Sequence, residues 1–271
     1  MLEAPPVPLL RWQDDSGQRF AGWFFSARQS GKGPTPLFIT YYSCAGFLRG
    51  AVGDEWPLVS LAQVGISTLC IDRRPGFTMD AVARYGEGLA AVQSAIDLLA
   101  RQGEIDRARV GMGGLSFGGE VTMWTLAHSH LLAAASVANP VLSPLYELME
   151  SMKGDAFDKG LRSLWGLGKP SETPARWKAL SPVFQLDRID APMLFQHSEQ
   201  EYLYALDCEI PLIRGKRPAT SPVLSRQQLL PYAPDFAGAS AWVARRHSGG
   251  GIWPRGATAA RVRRRTAAKK T

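Results

Sequence analysis

The sequence predicts an α/β fold, a mostly parallel β-sheet with helices on both faces. Three observations carry this. Short runs rich in β-branched and aromatic residues, "LFITYY" from Leu37 to Tyr42 and "ISTLCID" from Ile66 to Asp72, have the length and make-up of buried strands. Further on, apolar residues fall at Val82, Tyr85, Leu89, Val92, Ile96 and Leu99, spaced 3, 4, 3, 4 and 3 apart, which lines one face of an amphipathic helix. Strand-like and helix-like stretches then alternate down the chain. With 271 residues there is enough chain to bury a full core in one large domain, with or without an appended tail.

Taken in order, "RWQDDSGQRFAGWFF" reads as two extended segments around the turn "DDSG", followed by a Gly/Pro linker from Ser30 to Pro36. The strands from Leu37 and Ile66 and the helix from Val82 to Leu99 come next. "ARVGMGGL" returns to an extended run, Glu120 to His128 is helical again, and "AAASVANP" and Ala191 to Phe195 read as two further strands. Residues 141 to 180, containing "LYELMESMKGDAFDKGLRSLWGL", interrupt the alternation with a helical insertion, of the kind that either overhangs a site or simply packs on the domain. The expected organisation is therefore extended segments over 1–30, the α/β domain over 31–215, and a basic tail over 216–271.

The tail stands apart in composition. Residues 1 to 214 carry 19 Lys+Arg against 23 Asp+Glu, a balance of −4, whereas residues 215 to 271 carry 12 against 1, a balance of +11, and the two make up the net +7. Ala, Arg, Gly, Pro and Ser supply 33 of the 54 residues from Pro218 onward, and "RVRRRTAAKK" has no interleaved aromatics. A disordered basic end is expected rather than a nucleic-acid face. No apolar run nears the roughly 18 to 20 residues that span a bilayer. The N-terminus lacks the basic and apolar regions of a signal peptide, which makes cytoplasmic the default compartment. Cys44, Cys70 and Cys208 are odd in number, with neither metal spacing nor a disulfide framework, so reduced thiols are expected.

The chemistry gathers at "GMGGLSFGGE", residues 111 to 120, where Ser116 stands in a G-x-S-x-G pattern. A serine hydroxyl is a working nucleophile only when a base takes its proton and its oxygen stands clear of the backbone. A sharp strand-to-helix turn gives that exposure but brings chain segments so close that the flanking positions must be small. Gly114 and Gly118 meet the demand and Gly119 adds room. The context is right as well, a strand before and a helix after. Such an elbow also supplies one oxyanion donor, the backbone N–H of Phe117, at the positive end of the helix.

"EIDRARVGMGGLSFGGEVTMW" resembles the corresponding stretch of the prolyl oligopeptidase (S9) serine peptidases, in which "D-x-x-R-[VI]" leads to "G-G-S-x-G-G"; Leu115 departs from the small residue usual before the serine. The likeness runs from about Leu10 to about Arg214. It implies an α/β-hydrolase fold and a Ser–acid–His triad cleaving peptide amides, with a peptide as partner. In that family a tyrosine six residues after the strand-opening proline donates to the oxyanion; counting from Pro36 gives Tyr42, with Tyr41 the neighbouring alternative. The family's "H-G-x-x-D" acid loop corresponds to His197 through Glu201, which puts Glu201 at the acid position, with Glu199 the runner-up and His197 a non-catalytic strand-end histidine. His128 and His130 fall at the end of the helix after the elbow, where they are expected to meet its terminal carbonyls. The triad base leaves only His247, 46 residues beyond Glu201 and flanked by two arginines instead of a carboxylate.

"YYSCAGFLRGAVGDEWPLVSLAQVGISTLCIDRR" is similar to one subgroup, the lasso peptide isopeptidases, which makes an isopeptide amide the implied bond. The likeness ends near Lys216, as if the last strand, histidine loop and helix were missing or replaced through a shift of reading frame. The propeller that precedes the catalytic domain in the family is not expected within this sequence, whose first strands begin near Leu10. No phosphate loop, metal cluster or dinucleotide fingerprint is present, so neither cofactor nor metal is expected. A carboxylesterase of the same fold and a catalytically impaired product are the competing readings.

Overall fold

The computed structural model describes residues 9–27, 33–44, 56–76, 80–138 and 155–196. β1 (Leu9–Gln13) and β2 (Arg19–Phe25) form an antiparallel hairpin. Its turn is closed by Asp14, whose carboxylate accepts the Ser16 and Gln18 N–H groups at 2.9 Å each, while Gly17 takes φ 81°. These contacts explain why "DDSG" turns the chain: a short acidic side chain substitutes for a backbone acceptor and glycine tolerates positive φ.

β3 (Thr35–Tyr42), α1 (Leu58–Gln63), β4 (Ser67–Asp72), α2 (Ala81–Arg101), β5 (Ile105–Leu115), α3 (Phe117–His128) and β6 (Ala134–Ala138) follow. Then come α4 (Asp155–Trp165), α5 (Pro174–Leu180), two 3-10 turns at Pro182–Phe184 and Leu186–Arg188, and β7 (Met193–Gln196). The strands make one seven-stranded sheet in the order β1-β2-β4-β3-β5-β6-β7. β1, β2 and β4 pair antiparallel, and from β4 through β7 every pairing is parallel.

Each face of the sheet has its own core, set by the two-residue alternation of β3. Leu37, Ile39 and Tyr41 join Tyr85, Val92 and Ile96 of α2 and Val121 and Met123 of α3 in the larger cluster. Phe38 joins Trp56, Leu58, Leu61 and Cys70 in the smaller one, beneath α1. α2 begins at Asp80, whose carboxylate caps it by accepting the Ala83 N–H at 3.0 Å.

α1 has no counterpart in the sequence reading, because six residues are too few to display a helical period. A second difference concerns the thiols. Cys44 and Cys70 form a disulfide with their Cα atoms 5.8 Å apart, correcting the expectation of reduced cysteines. They are 26 residues apart in sequence and meet only because β3 and β4 lie side by side. Disulfides persist in oxidising compartments, which weighs against the cytoplasmic default. His197, Glu199, Glu201, Cys208, His247 and the basic tail lie outside the described residues, as do residues 141–154 of the insertion.

Candidate active site

β4, β3 and β5 are parallel neighbours, so their carboxyl ends emerge at one edge of the sheet, where open α/β sheets bind ligands. Tyr42 ends β3, Asp72 ends β4, and Ser116 follows β5. Ser116 has φ 52° and ψ −122°, a combination that residues with a Cβ rarely adopt, and its side chain is exposed. Its N–H donates to the Ala138 carbonyl at 3.3 Å and its carbonyl accepts the Glu120 N–H at 3.1 Å, anchoring the turn to β6 and α3.

The glycines are required by contact. A Cβ on Gly114 would lie 2.1 Å from the Gly118 carbonyl carbon and 2.5 Å from the Gly119 nitrogen. A Cβ on Gly118 would lie 2.8 Å from the Tyr41 carbonyl oxygen, and one on Gly119 3.2 Å from the Gly114 oxygen. Backbone thus touches backbone on both arms of the turn, leaving the serine clear of it. The N–H of Phe117 opens the twelve-residue helix α3.

Tyr41 and Tyr42 occupy different surroundings. Tyr41 belongs to the larger core, 6% exposed, and burial pushes its phenol well above its ordinary range. Tyr42 is 36% exposed and has φ 128°. Its ring centre lies 4.9 Å from that of Phe117, and the Arg73 guanidinium sits over it at 5.2 Å. The aromatic contacts continue inward, Phe117 to Tyr85 at 5.5 Å, Tyr85 to Trp124 at 5.6 Å, and Trp124 to His128, stacked at 3.7 Å.

Two histidines lie close to α3 without approaching the serine's turn. Nδ1 of His128 is 3.0 Å from the Trp124 carbonyl, as expected of a helix-end histidine, and burial lowers its pKa. His130 instead pairs with the Asp190 carboxylate at 3.0 Å, correcting the expectation that it meets the helix carbonyls. Among the described residues no group of three or more His, Cys, Asp or Glu could hold a metal ion.

One cluster beside the elbow was not singled out from sequence. Glu120, in the first turn of α3, accepts hydrogen bonds from the Tyr85 hydroxyl of α2 and, at 3.1 Å, from Trp165 Nε1 of α4. Burial pushes its carboxyl above the ordinary glutamate range, while the two donors and nearby Arg84 pull the other way. The Tyr85 hydroxyl is pushed up in turn, first by burial and then by Glu120. Arg84 lies over the Phe117 ring at 5.2 Å and donates to the Leu164 carbonyl. Sequence offers only a faint signal of this cluster, a glutamate directly behind the elbow glycines.

Sheet order and elbow together define an α/β-hydrolase fold, and residues 86–205 match the prolyl oligopeptidase family of S9 peptidases. More particularly, the chain is 31% identical over 198 residues to the lasso peptide isopeptidase AtxE2 of Asticcacaulis excentricus, an alignment covering 68% of this chain and 28% of that protein. The solved structure of AtxE2 superposes with a TM-score of 0.69 at 26% identity, covering 90% of this chain and 40% of that one. An acylaminoacyl peptidase of Pyrococcus horikoshii has the same fold, with a TM-score of 0.62 at 17% identity over 89% of this chain and 40% of its own. So has an acetyl xylan esterase from Paenibacillus sp. R4, with a TM-score of 0.64 at 14% identity over 90% and 86%. The chain spans less than a third of the isopeptidase sequence it matches.

Proposed function

We propose that this chain is a serine-type peptidase that cleaves peptide amide bonds, lasso-peptide isopeptide bonds being the substrate class, through an acyl-enzyme on Ser116. The observation that carries the reading is the exposed Ser116 at φ 52°, held between glycine arms that leave no space for a Cβ. In this reading a base takes the hydroxyl proton, the serine oxygen attacks the scissile carbonyl, and the amine leaves with a proton returned by the same base. The Phe117 N–H and the Tyr42 hydroxyl hold the oxyanion; Tyr42 is preferred to Tyr41 because its ring is exposed beside Phe117. Glu201 as the acid is what the family's loop pattern implies, and His247 is the candidate that remains for the base.

The isopeptide substrate class draws on the relative: a variant of AtxE2 has been solved with Astexin3-dC4 bound. The acetyl xylan esterase fold supports a second reading, since the same elbow serves esters, and comparing p-nitrophenyl ester hydrolysis with that of lasso peptide amides separates the two. The primary test is a fluorophosphonate probe. Ser116 is expected to be labelled in folded protein and Ser116→Ala to remain unlabelled; folded wild-type protein that resists the probe would mean that the serine has no base. Labelling that survives in His247→Ala would assign the base elsewhere.

A further inference from the structure

We infer that Asp72 and the Cys44–Cys70 disulfide are positioning residues for Tyr42, clamping its backbone in the left-handed conformation that seats its ring on Phe117. This rests on the reading of Tyr42 as an oxyanion donor. The starting point is φ 128° at a residue with a bulky side chain. Such a conformation persists only where the surroundings over-determine it.

The geometry explains what the conformation achieves. If β3 continued its regular alternation, residue 42 would point to the α1 face, opposite Tyr41. The positive φ breaks that alternation and leaves the ring 4.9 Å from Phe117, beside the elbow. Three ties hold it there, all running from residues 42–44 to residues 70–73 of the neighbouring strand. The Arg73 N–H donates to the Tyr42 carbonyl at 3.0 Å, fixing the peptide that leaves the strained residue. The Asp72 carboxylate accepts the Cys44 N–H at 2.9 Å, capping a donor that has run past the end of the ladder. The disulfide then closes the segment covalently, and both its cysteines are 1% exposed, packed with Trp56 and Leu58 under α1. A bridge so buried is shielded from exchange with external thiols, as a structural disulfide should be.

The test uses the full chain as wild type, as Cys44→Ala/Cys70→Ala, and as Asp72→Ala, the last covering the case in which the double variant does not fold. Peptide mapping without reductant is expected to recover Cys44 and Cys70 in one cross-linked peptide; two free thiols overturn the inference. Hydrogen exchange is expected to show lost protection of the Cys44 and Arg73 amides in the variants, with α2 and β6 amides unchanged; retained protection at Cys44 and Arg73 overturns it. Saturation kinetics of Ser116 labelling are expected to show the limiting rate down about a hundredfold, the cost of one oxyanion donor, at an unchanged half-saturating probe concentration. Lost protection with wild-type labelling overturns the positioning role. Wild-type protein that never labels refutes the hydrolase reading instead, and mapping and exchange still decide the clamp.

Discussion

At Ser116 and its glycines the chain accepts a strained backbone for the sake of exposure. Because a Cβ on Gly114 would fall 2.1 Å from the Gly118 carbonyl carbon, Gly114→Ala must separate the two arms of the turn. A loss of about 1–3 kcal/mol in a urea melt is expected, as for an overpacked core position, together with loss of Ser116 labelling. Wild-type labelling in that variant would show that the arms can part without cost. Tyr42→Phe makes the complementary test: the ring packing on Phe117 is kept and only the hydroxyl goes, so labelling is expected to slow about 10²–10³-fold at unchanged stability. An unchanged rate would remove Tyr42 from the oxyanion site. The glycines were legible in the sequence because a steric demand for no side chain is written directly as glycine. The count from Pro36 points to Tyr42 with Tyr41 beside it, but the difference in their surroundings was not legible, since the exposure of one ring and the burial of the other are set by tertiary packing.

Helices meet at Glu120. Its carboxylate joins α3 to α2 through Tyr85 and to α4 through Trp165, so the elbow helix and the insertion share one half-buried polar group. Its pKa is raised by burial, which fixes the sign of the pH dependence. The folded state holds this proton more tightly than the unfolded chain does, so the contribution to stability is full below the ordinary glutamate pKa and declines as pH rises through the raised value. Glu120→Gln keeps an acceptor oxygen for the two donors and removes the titration. Thermal melts across the acid-to-neutral range are expected to show a flatter pH dependence in the variant than in wild type; equal slopes would mean that Glu120 does not carry the effect. The amphipathic α2 was readable from its spacing, and Asp80 makes an ordinary cap for it. Glu120 was not, because an acidic residue in a first helical turn reads as a surface group favoured by the helix dipole. Its burial is made by two other helices, one of them some forty residues away.

The molecule as a whole divides by charge as well as by fold. Every described element ends by Gln196, within the part of the sequence that carries −4, while the +11 of residues 215–271 lies beyond them. The alternating strands and helices that announce the sheet also end there, and so the sequence speaks clearly about the nucleophile and weakly about its base. A histidine can be brought to a serine by tertiary contact from any distance, and no local spacing records such a contact. Ending the chain at Gly215 turns this division into an experiment. Because all the described packing is retained, the thermal transition is expected to match that of the full chain, and the isoelectric point is expected to move from basic to acidic. If His247 is the base, Ser116 labelling in the shortened chain falls by several orders of magnitude, leaving only the residual catalysis that an oxyanion site and binding supply without a triad. Labelling at the full-chain rate, with the same melt, would place the base before residue 216 and dismiss His247.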